Sequence, residues 1–112
     1  MPQQIRVEIL IPTLYNADSQ GNRKPIEPSK QRSIKNQIID KFGGITMHPL
    51  AVAGIWVDKT TKERFYDNCI KFEVCIDEKE DLEKELEEWN EELKRYFDQF
   101  EIFMIYYHVY KV

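Results

Sequence analysis

The apolar residues of this chain recur with a period of two, then near 3.6, then two, then 3.6 again, and finally two. That order is the strongest constraint on its fold. In the run Ile5–Pro12, residues Ile5, Val7, Ile9 and Ile11 point one way and Arg6, Glu8 and Leu10 the other, as in a half-buried strand closed by Pro12. Ile34, Ile38 and Phe42 recur every four residues, which predicts a helix from a Ser29 cap to Phe42 with Gly43 as its left-handed stop. Val52–Asp58 and Cys69–Ile76 return to alternation around a polar turn at Lys59–Lys62. Leu82, Leu86, Trp89, Leu93, Phe97 and Phe100 restore helical spacing, with Asp77 and Glu80 placed as a capping box. Ile102–Val112 is a last strand, dense in aromatic and β-branched residues.

Strand, helix, strand, strand, helix, strand packs most simply as a four-stranded antiparallel sheet with both helices on one face. This is the α+β, ferredoxin-like βαββαβ plan, with expected strand order 4-1-3-2 and right-handed crossovers. The 112 residues, 42% of them hydrophobic, supply one core, so the chain reads as a single domain over residues 1–112. The polar stretch Asn16–Pro28 reads as a long loop, and loops of that length are often functional or mobile.

Charge narrows the function classes. Residues 77–100 hold eleven acids against four bases, whereas residues 1–76 hold eight acids against eleven bases. With a pI near 5.2 and no clustered basic surface, nucleic acid is a disfavoured partner. No apolar run approaches the roughly 20 residues of a membrane span. Met1-Pro2-Gln3-Gln4 leads directly into strand-like sequence, without a signal-peptide pattern. Cys69 and Cys75 would share one face of one strand, roughly 20 Å apart at ~3.3 Å per residue, beyond reach of a bridge. Both are expected to be reduced, in a cytoplasmic protein.

In the expected plan the helices leave one sheet face uncovered. Its central strands would show Arg6, Glu8, Leu10, Lys71, Glu73 and Cys75, a salt-bridge pattern with apolar members. The last strand is apolar on both sides. Phe103, Ile105, Tyr107 and Val109, the more uniformly apolar set, are assigned to the core. Ile102, Met104, Tyr106, His108 and Tyr110 then join Trp56 and Leu10 on the open face. An apolar patch of that kind points to a covering partner, a twofold copy first of all, or to a small molecule.

The sharpest catalytic arrangement places His108 near Arg6 or Glu8, with Glu73 and Cys75 a strand or more away. A histidine oriented by a carboxylate works as acid or base near neutral pH, and a thiol can serve as nucleophile. The simpler reading of His108 is an amphipathic strand residue with one hydrogen bond, since no spacing motif supports catalysis. A ligand pocket on this face would use Trp56, Arg6, Glu8, Tyr106 and Tyr110. His48, His108, Cys69 and Cys75 lack C-x-x-C or H-x-x-x-H spacing, so no metal is expected. Gly43-Gly44 follows a helix rather than opening one, and no P-loop, dinucleotide fingerprint or nucleophile elbow occurs, so no cofactor is expected. Arg23, Lys24, Lys30, Arg32 and Lys35 are read as a solvated helix end before an anion site.

Phe42-Gly43-Gly44-Ile45-Thr46, a short apolar link, Gly54-Ile55-Trp56-Val57-Asp58, a polar turn and the strand Ile70–Ile76 form one pattern. It resembles a group of small uncharacterised bacterial proteins with an F-x-G-[IL]-T…G-x-W pattern before a hydrophobic strand. The resemblance implies a helix end, a turn, a hairpin strand with outward Trp56, then a helix and a closing strand. It implies no catalytic residue. The residues together read as a homodimeric binding or interaction module without catalysis. The alternative is a small-ligand binder or small enzyme with a pocket on the open face near Trp56 and His108.

Overall fold

The structure, a computed structural model, describes residues 3–48 and 50–112. The readings of Met1-Pro2 as a strand approach and of Pro49 as part of a connector lie outside the described residues. The fold is α+β. Its elements are β1 (Gln3–Pro12), α1 (Pro28–Phe42), β2 (Thr46–Met47), β3 (Val52–Val57), β4 (Arg64–Asp77), α2 (Leu82–Tyr96) and β5 (Phe103–Tyr110). All strand pairs are antiparallel, in the order β2-β4-β1-β5, with β3 also on β4.

The alternation of β1 and β4 builds the core. Ile5, Val7, Ile9 and Ile11 stand opposite Ile76, Val74, Phe72 and Ile70 on one face. Ile34 and Ile38 of α1 and Leu82, Leu86 and Leu93 of α2 pack onto that face, with Ile26, Phe97 and Ile102. Both helices therefore cover the same side. Among the described residues, no helix is long and apolar enough to cross a membrane.

Five strands stand where four were expected, because the edge strand is broken. Thr46 and Met47 pair with Glu73 and Phe72, and pairing resumes only with Val52 opposite Cys69. Between Met47 and Val52 the sequence has four positions where β4 has two, Ile70 and Lys71. A surplus of that size cannot stay in the ladder, so the edge bulges and splits into β2 and β3. Beyond Cys69, β4 leaves β1 and runs on with β3 alone as a two-stranded arm.

Both helix starts differ from the expected caps. Pro28 opens α1 and Glu27 is its N-cap, so Ser29 lies inside the first turn. Asp77 does not cap α2. It ends β4 opposite Gln4, whose Nε2 donates to Asp77 Oδ1 at 3.0 Å, and the helix starts only at Leu82 after a left-handed Asp81. Gly43 does stop α1, at φ 81°, with its N–H bonded to the Ile39 carbonyl at 2.8 Å. Phe100, expected on the buried stripe of α2, lies past the helix end and is solvent-exposed.

The facing of β5 is the reverse of that expected. Ile5, Val7 and Ile9 stand opposite His108, Tyr106 and Met104, and opposite residues of an antiparallel pair share a face. Met104, Tyr106, His108 and Tyr110 therefore lie on the helix side, and Phe103, Ile105, Tyr107 and Val109 on the open side. The parity is set just upstream of the strand. Ile102 is buried in the core, and Asn90 Nδ2 donates to its carbonyl at 2.9 Å. With Ile102 seated inward, each later residue alternates from it.

Candidate functional site

The outward side chains of β1 and β4 meet on the open face in a connected ion cluster. Arg6 donates to Glu73 Oε2 at 3.0 Å and to Cys75 Sγ at 3.2 Å. Glu8 and Glu73 stand directly opposite each other in the ladder. Lys71 Nζ lies 3.6 Å from Glu8 and 3.5 Å from Glu73, relieving the repulsion between them. The Tyr107 hydroxyl donates to Glu8 Oε1 at 2.9 Å, which raises the pKa of the phenol. His48 Nε2 approaches Glu73 to 3.4 Å without hydrogen-bond geometry.

Glu73 is the electrostatic centre of this cluster. Burial pushes its carboxyl upward, but contact with Glu8 and Arg6 and the attraction of Arg6 and Lys71 outweigh burial and hold it at about 2. Arg6 is held more firmly protonated by its bonds to Cys75 and Glu73, against the cost of burial. The formal charges of Arg6, Lys71, Glu8 and Glu73 cancel.

Part of this cluster floors a groove of about 620 Å³ at one end of the open face. Gln4, Arg6, Glu73, Cys75, Tyr107 and Val109 line it from three strands. The helix exit Gly43–Thr46 forms one bank, and Tyr110 and Lys111 the other. Gln4 Oε1, although its residue borders the groove, is buried without a hydrogen-bond partner. The groove is open and lined about equally by polar and apolar surface, with its fixed polar groups on the floor.

The structure brings together Arg6, Glu8, Glu73 and Cys75 from the sequence-derived candidates, with Tyr110 at the rim. It separates the other three. His108 and Tyr106 are on the helix side, in a second cleft of about 590 Å³ beside the start of α2, where His108 Nε2 is 3.1 Å from Glu78 Oε1. A His108–Glu73–Cys75 arrangement is therefore ruled out by the sheet itself, which stands between them. Trp56 lies on the β3–β4 arm, with its indole N–H donating to Asp67 Oδ2 at 2.8 Å and its ring over Gly54. Arg23 grips the other Asp67 oxygen at 2.6 Å and the Tyr15 carbonyl, fastening the long loop to the base of the arm. A pocket shared by Trp56 and His108 does not form. Among the basic loop residues, Arg23 is thus committed to Asp67, and Lys30 donates to the Tyr96 carbonyl at 2.9 Å.

Tyr107, Val109, Gln4 and Thr46 are groove residues that the sequence reading missed. Tyr107 was placed in the core with its parity set. The one available signal was Ile102: an apolar residue just after the polar turn at its end of the strand, free to seat inward first.

No family model matches the sequence, and no curated protein matches it. Among solved structures the chain is similar to a phage SAM lyase in complex with S-methyl-5'-thioadenosine. The TM-score is 0.59 and the identity 12%, over 98% of this chain and 90% of that one. At that identity the likeness is one of fold.

Proposed function

We propose that this chain is a cytoplasmic binding module whose open-face groove takes a small, uncharged, hydroxyl-rich ligand of the nucleoside type. The observation that carries the reading is the charge-balanced Arg6–Glu73 cluster on the floor of the ≈620 Å³ groove. Arg6 and Glu73 cancel on the floor, and Lys111 at the rim is the remaining charge among the lining residues. The cluster's carboxylate and guanidinium, spaced by a 3.0 Å bond, offer adjacent acceptor and donor positions for vicinal hydroxyls. Tyr107 and Tyr110 supply aromatic surface for a base. The fold neighbour holds S-methyl-5'-thioadenosine, a neutral nucleoside of this class, and that is the probe of choice. Binding is favoured over catalysis because the carboxylates are committed to ion pairs and His108 is on the far side of the sheet from Cys75. Two unbridged cysteines fit a reducing compartment. The ferredoxin-like βαββαβ plan is the description we favour for the fold, with β2 and β3 as one edge strand interrupted by a bulge.

The test is an amide-resolved NMR titration with S-methyl-5'-thioadenosine. Shifts concentrated at Gln4, Arg6, Gly43–Thr46, Glu73, Cys75 and Tyr107 support the reading. Glu73→Gln should weaken binding at least tenfold, while Glu87→Gln in the second cleft leaves it unchanged. No response at millimolar probe, or shifts confined to the helix side, refutes it.

A further inference from the structure

The outer edge of β5 is open: among the described residues it pairs with β1 alone. Eight residues at ~3.4 Å each present roughly 27 Å of edge. No Asp, Glu, Lys or Arg and no proline lies between Glu101 and Lys111. Edges that must stay unpaired usually carry such residues, or are covered. The side chains agree with the backbone. Phe103 is 43% exposed, Ile105 39%, Tyr106 40%, Tyr107 41% and Tyr110 68%, on both sides of the strand.

We propose that this edge is the interface with a second copy of the chain, two β5 strands pairing antiparallel about a twofold axis through Tyr106. The register follows from two constraints on the page. Opposite residues must share a face, so even positions meet even and odd meet odd. A dyad at Tyr106 meets this, setting Phe103 against Val109 and Ile105 against Tyr107 on the open side, and Tyr106 against itself on the helix side. It also sets Glu101 against Lys111 of the other copy, twice. Those are the charges that bracket the strand, and both are solvent-exposed in the single chain. Moving the dyad by one residue breaks the match. Centred on Tyr107, Lys111 falls opposite Phe103; centred on Ile105, it falls opposite Gln99. The exposed side chains along this edge amount to roughly 500 Å² per copy, so the pairing buries at most about 1,000 Å² in total, the lower end of specific association. A second copy suits the edge better than a foreign strand because one segment supplies both charges in mirrored positions. Tyr107, Val109, Tyr110 and Lys111 of this edge also line the groove, and chain mass and ligand titration test the two readings separately.

Light scattering on a sizing column, from about 10 to 500 μM, reads the outcome. The wild type should reach twice the 13.5 kDa chain mass as concentration rises. Lys111→Glu should weaken the dimer about tenfold or more, by turning two attractions into two repulsions. Glu101→Lys together with Lys111→Glu should restore it. Both positions are exposed, so folding is retained, with circular dichroism as the check. Tyr106→Asp should leave a monomer. A wild type monomeric throughout the range overturns the proposal, and so does a trimer. A dimer indifferent to Lys111→Glu, or one that the double exchange fails to restore, also overturns it.

Discussion

Replacing Glu73 with Gln tests whether the open face is held together by its ion cluster. Glu73 is 13% exposed, 3.0 Å from Arg6 and 3.5 Å from Lys71, and its carboxyl titrates near 2 rather than 4.5. The direction fixes the sign. Between those values the unfolded chain binds a proton that the native chain does not, so native stability falls as pH drops from about 4.5 toward 2. At about 1.36 kcal/mol per tenfold the full difference is worth at most ~3 kcal/mol. The groove is open to water, so screening reduces this to about 1–2 kcal/mol. Urea titrations of the wild type and Glu73→Gln, at steps from pH 7 to pH 3, measure it. The variant should be less stable by roughly 1–2 kcal/mol at pH 7, and the gap should narrow below about pH 4.5 as the unfolded wild type binds a proton that the native chain does not. A gap that stays constant from pH 7 to pH 3 would refute the reasoning, because the loss would then owe nothing to the carboxylate's charge. So would a variant as stable as the wild type at pH 7.

Two further outcomes are expected. Cys69 is buried, with its thiol pushed up to about 11 by burial and then by Asp67, whereas Cys75 is partly open in the groove. Iodoacetamide at pH 8, read by intact mass, should therefore add one label to the native chain and two in urea; rapid double labelling of the native chain would contradict the packing. Gly43 holds a left-handed conformation with open space around it, so Gly43→Ala should cost about 1 kcal/mol through backbone strain alone, seen as a small fall in Tm.

The parts legible in the sequence were those fixed by local period. Ile5–Ile11 and Ile70–Ile76 alternate strictly, so their inward and outward sets were readable before the strands were paired. Arg6, Glu8, Glu73 and Cys75 followed as one outward group, and they floor or adjoin the groove. The caps were not readable. Asp77 has the composition of a helix cap, but the ladder with Gln4 holds its backbone extended. The strand β2 was hidden in the link before Val52, because its two residues are a strand only through their pairing with Glu73 and Phe72, which no local pattern contains.

The sequence by itself determined the element types, the α+β class and the charged character of the open face. Each follows from periodicity over neighbouring residues, which needs no partner to be defined. Only the tertiary structure decided the facing of β5, and through it the separation of His108 from Cys75 and the place of Tyr107 in the groove. Both sides of that strand are apolar, so hydrophobicity does not rank them. The choice was made by Ile102 seating in the core at the end of the α2–β5 turn, a contact between residues distant in the chain.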